Sequence, residues 1–436
     1  MRFLLLIFLL TAPACEGGGE GAGAETGSTS GAATGEHFVS PSGNDLTGNG
    51  SRFSPWKTLA KGVEELQAGE TLTLLAGTWI EELDMPTVAT EAKPITIRGQ
   101  GPDNTLLDLR SLDFQHVVEF KDGASNLILE GIGIKGRPGP WWSHAIFISH
   151  EGVNKGIVLR NLRLEWEDGI KDRGSGIFVH YQEDADLLID GVESSGFSDG
   201  IYLKGSNNIE IRNSDLHDNI EDGIDYNGGT DVLLEDNFCH DNHSSGIIIH
   251  GNENFHLGGV VRGNILQGNQ TGITLYQTDG VLIERNVAFL NTDFGLKVSG
   301  GTRASRIHHN TFTANATGAV RLRNFLEDNI LRNNILTGGD QGLSARIEEE
   351  AGFDFDFNLW DPPALSIENV GRLEDLATIQ GRFQGMVHAK TGNPLFRDSQ
   401  GGDFILLDSS PALDVGENLG GPFDGSGPDC GAHEKP

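Results

Sequence analysis

The chain has 436 residues, with 31 Lys and Arg against 63 Asp and Glu, a formal net charge of −32. That balance argues against a nucleic-acid binder, because neutralising phosphates takes clustered Lys and Arg, and against an anionic membrane surface, but it suits divalent cations. The 61 glycines follow no collagen triplet, and the length fits either two or three ordinary domains or one long repeat fold.

Residues 1–15, MRFLLLIFLLTAPAC, carry a basic Arg2, an apolar run over 3–10 and small residues over 11–14. This is a secretory signal, too short to span a bilayer. Cys15 follows directly, so the segment resembles a bacterial lipoprotein signal with Cys15 as the lipidated residue; it departs from that pattern at Ala12, where Leu is usual. Residues 16–36 offer nothing that would anchor a core and read as a flexible Gly/Ala/Ser/Thr tether. The expected location is secreted, at the cell envelope, with membrane contact only through a lipid anchor at the outer membrane or cell surface. Residues 37–92 are expected to form an N-terminal cap and the first strands. Trp56, Leu59, Val63 and Leu66 fall on one helical face, as a short helix covering an open end would require.

From 93 to 350 the chain repeats. Seven segments share one form: SGIFVH (175–180), DGIYLK (199–204), DGIDYN (222–227), SGIIIH (245–250), TGITLY (271–276), FGLKVS (294–299) and TGAVRL (317–322). Their glycines are spaced by 24, 23, 23, 26, 23 and 23 residues. Between them runs a column of Asn161, Asn213, Asn237, Asn264, Asn286, Asn310 and Asn334, with Gly191 once in its place. Short alternating strands closed by Gly or Asn exclude helical repeats, and the fixed Leu pattern of a leucine-rich repeat is absent. The period predicts an all-β, single-stranded right-handed parallel β-helix whose coils stack about 4.8 Å apart, with stacked Asn bonding along the turn and a short N-terminal capping helix.

Residues 351–436 are expected to complete the β-helix and cap it. The stretches FVSPSGND (38–45), PWKTLAKGVEEL (55–66) and AGETLTLLAGTW (68–79) resemble the opening of secreted bacterial β-helix proteins. SSPALDVG (409–416) and DGSGPDCGAHE (424–434) resemble their C-terminal segment. Cys239 and Cys430 are free to pair, but nothing requires it.

By the period of two, the first residue after each Gly points inward and the second and fourth outward. The second-position column reads Phe178, Tyr202, Asp225, Ile248, Thr274, Lys297 and Val320; the fourth reads His180, Lys204, Asn227, His250, Tyr276, Ser299 and Leu322. The residue before Gly is also expected to face out, which stacks Asp199 on Asp222, with Glu221 and Asp225 beside them. Four carboxylates on two coils repel one another without a cation, and oxygen-only donors of this density suit calcium better than zinc.

The pair SDGIYLK (198–204) and EDGID (221–225) resembles the calcium-site motif of family-9 polysaccharide lyases, pectate lyase-like parallel β-helix enzymes. The resemblance implies Asp199, Glu221, Asp222 and Asp225 as calcium ligands, with Glu221 in a position where the family has Asp. It fails at the catalytic Lys, whose position here is Ile248. Polyuronide β-elimination needs a base, and the candidates to supply it are Lys204, one coil before Asp225, and His250, one coil after. Tyr202, His180, Trp141 and Trp142 are candidate sugar contacts, since aromatic rings stack on the C–H faces of sugars.

Three functions stand open. One is a calcium-dependent polysaccharide lyase-like enzyme acting on an acidic polysaccharide by β-elimination. Another is a non-catalytic glycan-binding or structural β-helix lipoprotein. The third is a β-helix glycoside hydrolase or epimerase, which would use paired acids. The expected partner is an acidic polysaccharide, and the expected state a monomer.

Overall fold

A computed structural model describes residues 35–137, 142–166, 174–251, 256–324, 326–339, 344–347, 353–383 and 385–435. The signal segment, Cys15, most of the tether and Trp141 lie outside them. No helix among the described residues is long and apolar enough to cross a membrane.

The described chain is a parallel β-helix. Each coil lays one strand on each of three faces. In one coil these are Ile209–Arg212, Asp215–His217 and Ile224–Asn227; in the next they are Val232–Glu235, Phe238–His240 and Ser245–His250. Stacking is parallel, with Ile209 opposite Val232, Asp215 opposite Phe238 and Ile224 opposite Ile247. The third face is a 13-stranded sheet; the other two share 24 strands, because strands such as Ile157–Trp166 run through the corner between them. Alternation sends every second side chain inward. Ile201, Ile224, Ile247, Ile273 and Leu296 stack with no solvent exposure as one rib of the core.

The corners are held by asparagine, though one position away from the simple column. Asn161, Gly191 and Asn213 take the left-handed conformation, with φ of 50°, 64° and 51°. Asn213 aligns with Asp236, not with Asn237, since Arg212 pairs with Glu235. The stacked ladder is the next residue along. From Asn237 through Asn264, Asn286, Asn310 and Asn334 to Asn358, each Nδ2 donates to the following Oδ1 at 2.9–3.0 Å. A second ladder, Asn219–Asn242–Asn269–Asn291–Asn315, lines the next corner at 2.8–3.3 Å. Each ladder amide also satisfies backbone groups that a buried turn would otherwise orphan.

The capping helix forms over Leu59–Glu64, with the Thr58 hydroxyl accepting from the Lys61 N–H. Leu59 and Leu66 are buried, as is Trp56. Gly62 lets the helix approach closely: a Cβ there would lie 2.7 Å from Val39 Cγ1. At the far end the coils continue to Leu365–Ile367, and the antiparallel strand Gly371–Leu373 closes the third face. Helix Leu376–Arg382 follows, with Ile379 buried. The chain then turns back along the side of the coils rather than only covering the end. Gly431 N donates to Asn333 O at 2.8 Å and Ala432 N to Thr311 Oγ1 at 3.0 Å. Cys239 and Cys430 are buried and free.

Two register expectations change. Lys297 pairs with Arg321, not Val320, and Val298 with Leu322. The coil there is 24 residues long, as Thr311 opposite Val287 also shows, so Ala319 takes the corner place of Gly295 and Gly318 sits one residue early. The column before each Gly, expected to face solvent, is buried from Ser175 to Phe294. It lies at a corner where the next coil covers it.

Candidate functional site

The chain enters the third face of each coil through an x-Gly-Ile corner. A Cβ on Gly200 would lie 2.7 Å from the carbonyl oxygen of Gly223, so only glycine lets successive coils approach there. The residue before that glycine is therefore pressed against the next coil. Asp199 and Asp222 occupy that place and are 6% and 7% exposed. Asp199 Oδ1 accepts from Asp222 N at 3.3 Å, and Asp222 Oδ1 accepts from Ser245 N at 2.5 Å. Asp225, two residues past its glycine, points back at them. One carboxylate oxygen from each of the three lies within 4.8 Å of the others.

Burial pushes the Asp199 carboxyl well above its ordinary value, and the charges of Asp225, Asp222 and Glu221 add to the effect. Burial, then the charge of Asp225, lifts Asp222 to about 7 despite the Ser245 N–H. Three carboxylates so placed are relieved either by protonation or by a cation. Two oxygens on one calcium ion are at most about 5 Å apart, so the trio fits that ion. Glu221 is exposed and stands outside the trio, and its charge adds to the rise at Asp199.

His250 reaches the trio. Asn227 is its neighbour in register, one coil back, yet its ring leans over so that Nε2 donates to Asp225 Oδ1 at 2.8 Å. Burial opposes the charged imidazole, but the bond to Asp225 and the charges of Asp225 and Asp222 outweigh it, and the net shift is upward. Ile248 is the register neighbour of Asp225, as the sequence implies.

Lys204 stands elsewhere. Its Nζ is 5.6 Å from the centre of the Tyr181 ring and makes no ion pair with the trio. It lies on a groove of about 480 Å³ that also includes His180, Tyr202 and Trp142. The floor of that groove is an aromatic column on the third face, ending at Asp225. Phe147 pairs in register with Phe178, Phe178 with Tyr202, and Tyr202 with Asp225. Phe178 and Tyr202 stack at 5.0 Å and 6°, and Phe147 and Phe178 at 5.5 Å. Burial raises the Tyr202 hydroxyl, so it stays protonated. His180 is pulled down to about 4 by burial and by His150 and Lys204, so it is neutral.

The fold thus joins Asp199, Asp222, Asp225 and His250 in one cluster and puts Tyr202, His180, Trp142 and Lys204 in the adjoining groove. Phe147, Phe178 and His116 of that groove were not singled out from the sequence. Residues 145–149 (AIFIS) align with 176–180 (GIFVH), but Ala145 stands where the repeat has glycine, which hid the coil.

The family described as a right handed beta helix region matches residues 175–336. The uncharacterized protein YwoF of Bacillus subtilis (strain 168) is 24% identical over 87% of this chain and 92% of its own length. Among solved structures, the A-module of mannuronan C-5 epimerase AlgE6 from Azotobacter vinelandii is 14% identical, with a TM-score of 0.52 over 75% of this chain and 91% of that one. The PL6 family alginate lyase AlyGC is 16% identical, with a TM-score of 0.53 over 79% of this chain and 56% of that one, so the match spans little more than half of that enzyme. These likenesses carry the fold: the chain is a right-handed parallel β-helix.

Proposed function

We propose that the protein is a secreted, calcium-dependent polysaccharide lyase that cleaves a uronate-containing polysaccharide by β-elimination. The observation that carries this reading is the cluster of three carboxylates with His250 bonded to one of them, at the end of an aromatic groove. Two of the fold's neighbours are named for acting on mannuronan and alginate, which agrees with an acidic glycan as partner.

Asp199, Asp222 and Asp225 are the residues to hold calcium. When bound, the ion supplies positive charge that neutralises the substrate carboxylate and acidifies the adjacent carbon. His250 is the base in this reading. A carboxylate only accepts hydrogen bonds, so Nε2 carries the hydrogen shared with Asp225, and in the neutral ring, which the raised pKa confines to higher pH, Nδ1 holds the lone pair. Asp225 thereby fixes the tautomer. Nδ1 takes the proton next to the uronate carboxylate, the glycosidic oxygen at the β-carbon departs, and a conjugated double bond forms. Phe147, Phe178 and Tyr202 stack on one another along the coils, so their edges form an apolar strip for the C–H groups of the sugar rings on one side of the scission. Lys204 is reassigned from base to carboxylate contact, since its ammonium lies over the groove. Cys15 as a lipid attachment point belongs to the same reading, and mass spectrometry of membrane fractions tests it.

The apolar Ile248 beside Asp225 favours a second reading, a glycan-binding protein without catalysis. A panel of polyuronides separates the two. Unsaturated products formed with calcium and lost with chelator support the lyase; binding without products supports the second reading.

A further inference from the structure

The second face of the same coils carries another cluster, which the reading above leaves unused. The repeat puts LHDN at 216–219 and CHDN at 239–242 on consecutive coils. Leu216 and Cys239 point into the core with no exposure, so Asp215, His217 and His240 point outward. His217 and His240 are register partners, and their rings stack at 4.8 Å and 8°. Each ring is braced by the Asp that follows it. His217 Nδ1 donates to Asp218 Oδ2 at 2.8 Å, and His240 Nδ1 to Asp241 Oδ2 at 2.9 Å. Both aspartates hold the left-handed corner position, with φ of 53° and 54°. A carboxylate on one ring nitrogen fixes the tautomer that leaves a lone pair on the other, the arrangement that typically supports a metal-bound imidazole.

The second ring nitrogen of His240 meets a carboxylate. His240 Nε2 is 3.1 Å from Asp215 Oδ1, and that oxygen is shielded from solvent without a partner in hydrogen-bond geometry. Ligands about 2.0–2.1 Å from a tetrahedral zinc ion are about 3.3 Å from one another, so this spacing is an edge of that polyhedron. One atom each from Asp215, His217 and His240 lie within 4.8 Å of one another. Glu193 flanks the site: its Oε2 accepts from Arg163 Nε at 2.6 Å, and its Oε1 is 3.8 Å from His217 Nε2.

We propose that Asp215, His217 and His240 form a binding site for a borderline-soft divalent transition-metal ion such as zinc, with the remaining position open to water. The donor set separates it from the carboxylate trio around the corner: two imidazoles and one carboxylate select zinc or cobalt over calcium. The site stands independently of the lyase reading.

Cobalt(II) is the probe, added to the full chain after exhaustive chelation. The expected result is one equivalent bound with visible absorption bands of a four- or five-coordinate ion. Zinc displaces it and calcium does not. Asp225→Asn leaves it intact. His240→Gln loses tenfold or more in affinity, and Asp241→Ala loses about tenfold through the loosened ring. If His240→Gln does not fold, as judged by circular dichroism, Asp215→Asn reads the same loss. The proposal is overturned if the wild-type chain shows only the spectrum of the aqueous ion. It is equally overturned if a His217→Gln/His240→Gln double variant binds with unchanged stoichiometry and affinity, which would leave the two imidazoles as partners of carboxylates and nothing more.

Discussion

Replacing Asp222 by Asn separates the cost of the acidic cluster from its use. Asp222 is 7% exposed and its carboxyl is lifted from 3.8 to about 7. Holding it ionised in the cation-free protein therefore costs roughly 4 kcal/mol, at 1.36 kcal/mol per pH unit of displacement. The folded-state value is raised, so the stability is fully present below pH 3.8, declines as pH rises and is lost through about pH 7. Asn carries no charge and still offers an oxygen to the Ser245 N–H, which now sits 2.5 Å from Asp222 Oδ1. In chelator at pH 8 the variant should be more stable than the wild type by about 2–4 kcal/mol, and the gain should vanish near pH 4. Calcium at 100 times its dissociation constant should then stabilise the wild type by about 2.7 kcal/mol and the variant far less. Urea denaturation in chelator and in calcium, at pH 4 and pH 8, measures all four arms. A variant no more stable than the wild type in chelator at pH 8 would refute the cost of the buried, crowded charge, and equal stabilisation of both chains by calcium would put the ion elsewhere.

Three further outcomes follow from the same physics. Asn286→Ala removes a buried amide that accepts from Asn264 N and Asn264 Nδ2 and donates to Val261 O. It should cost about 3–5 kcal/mol in urea denaturation, whereas Asn213→Gly, at an exposed left-handed position, should change stability by less than about 1 kcal/mol. His256 is fully buried against Tyr226, and burial lowers it to about 4. The unfolded chain takes up that proton near 6.5, so about 3 kcal/mol of stability present above pH 6.5 is lost as pH falls to about 4; His256→Phe should flatten that slope in pH-dependent melts. A Phe178→Ala/Tyr202→Ala variant should weaken oligouronide binding in calorimetry by about 1–3 kcal/mol while leaving calcium affinity unchanged.

Much of the fold is legible because the repeat is enforced by sterics. Gly200 and Gly223 are required where backbones nearly touch, and the aspartates before them inherit a shared corner. The capping helix is legible for a similar reason: Leu59 and Leu66 must cover an open core. Two adjacent columns were harder to separate. Asn213 and Asn237 look alike in the sequence, but one satisfies a left-handed φ and the other a buried ladder. The register at Arg321 depends on coil length on the other faces, which glycine spacing alone misreads. At the site, the acidic trio follows from the pattern. The reach of His250 to Asp225 and the turn of Lys204 toward Tyr181 are choices of side-chain direction that periodicity does not specify. The Phe147–Phe178–Tyr202 column begins on a coil whose corner residue is Ala145, so its first rung carried no glycine to mark it.

The most direct measurement is ultraviolet absorbance of unsaturated uronate ends during incubation with polyuronides. The account predicts that absorbance rises with calcium and the wild-type chain, stays flat in chelator, and falls at least tenfold with Asp225→Asn or His250→Ala, while the circular dichroism of each folded variant is unchanged. Absence of unsaturated product from every polyuronide tested, by a chain that binds both calcium and the glycan, would contradict it.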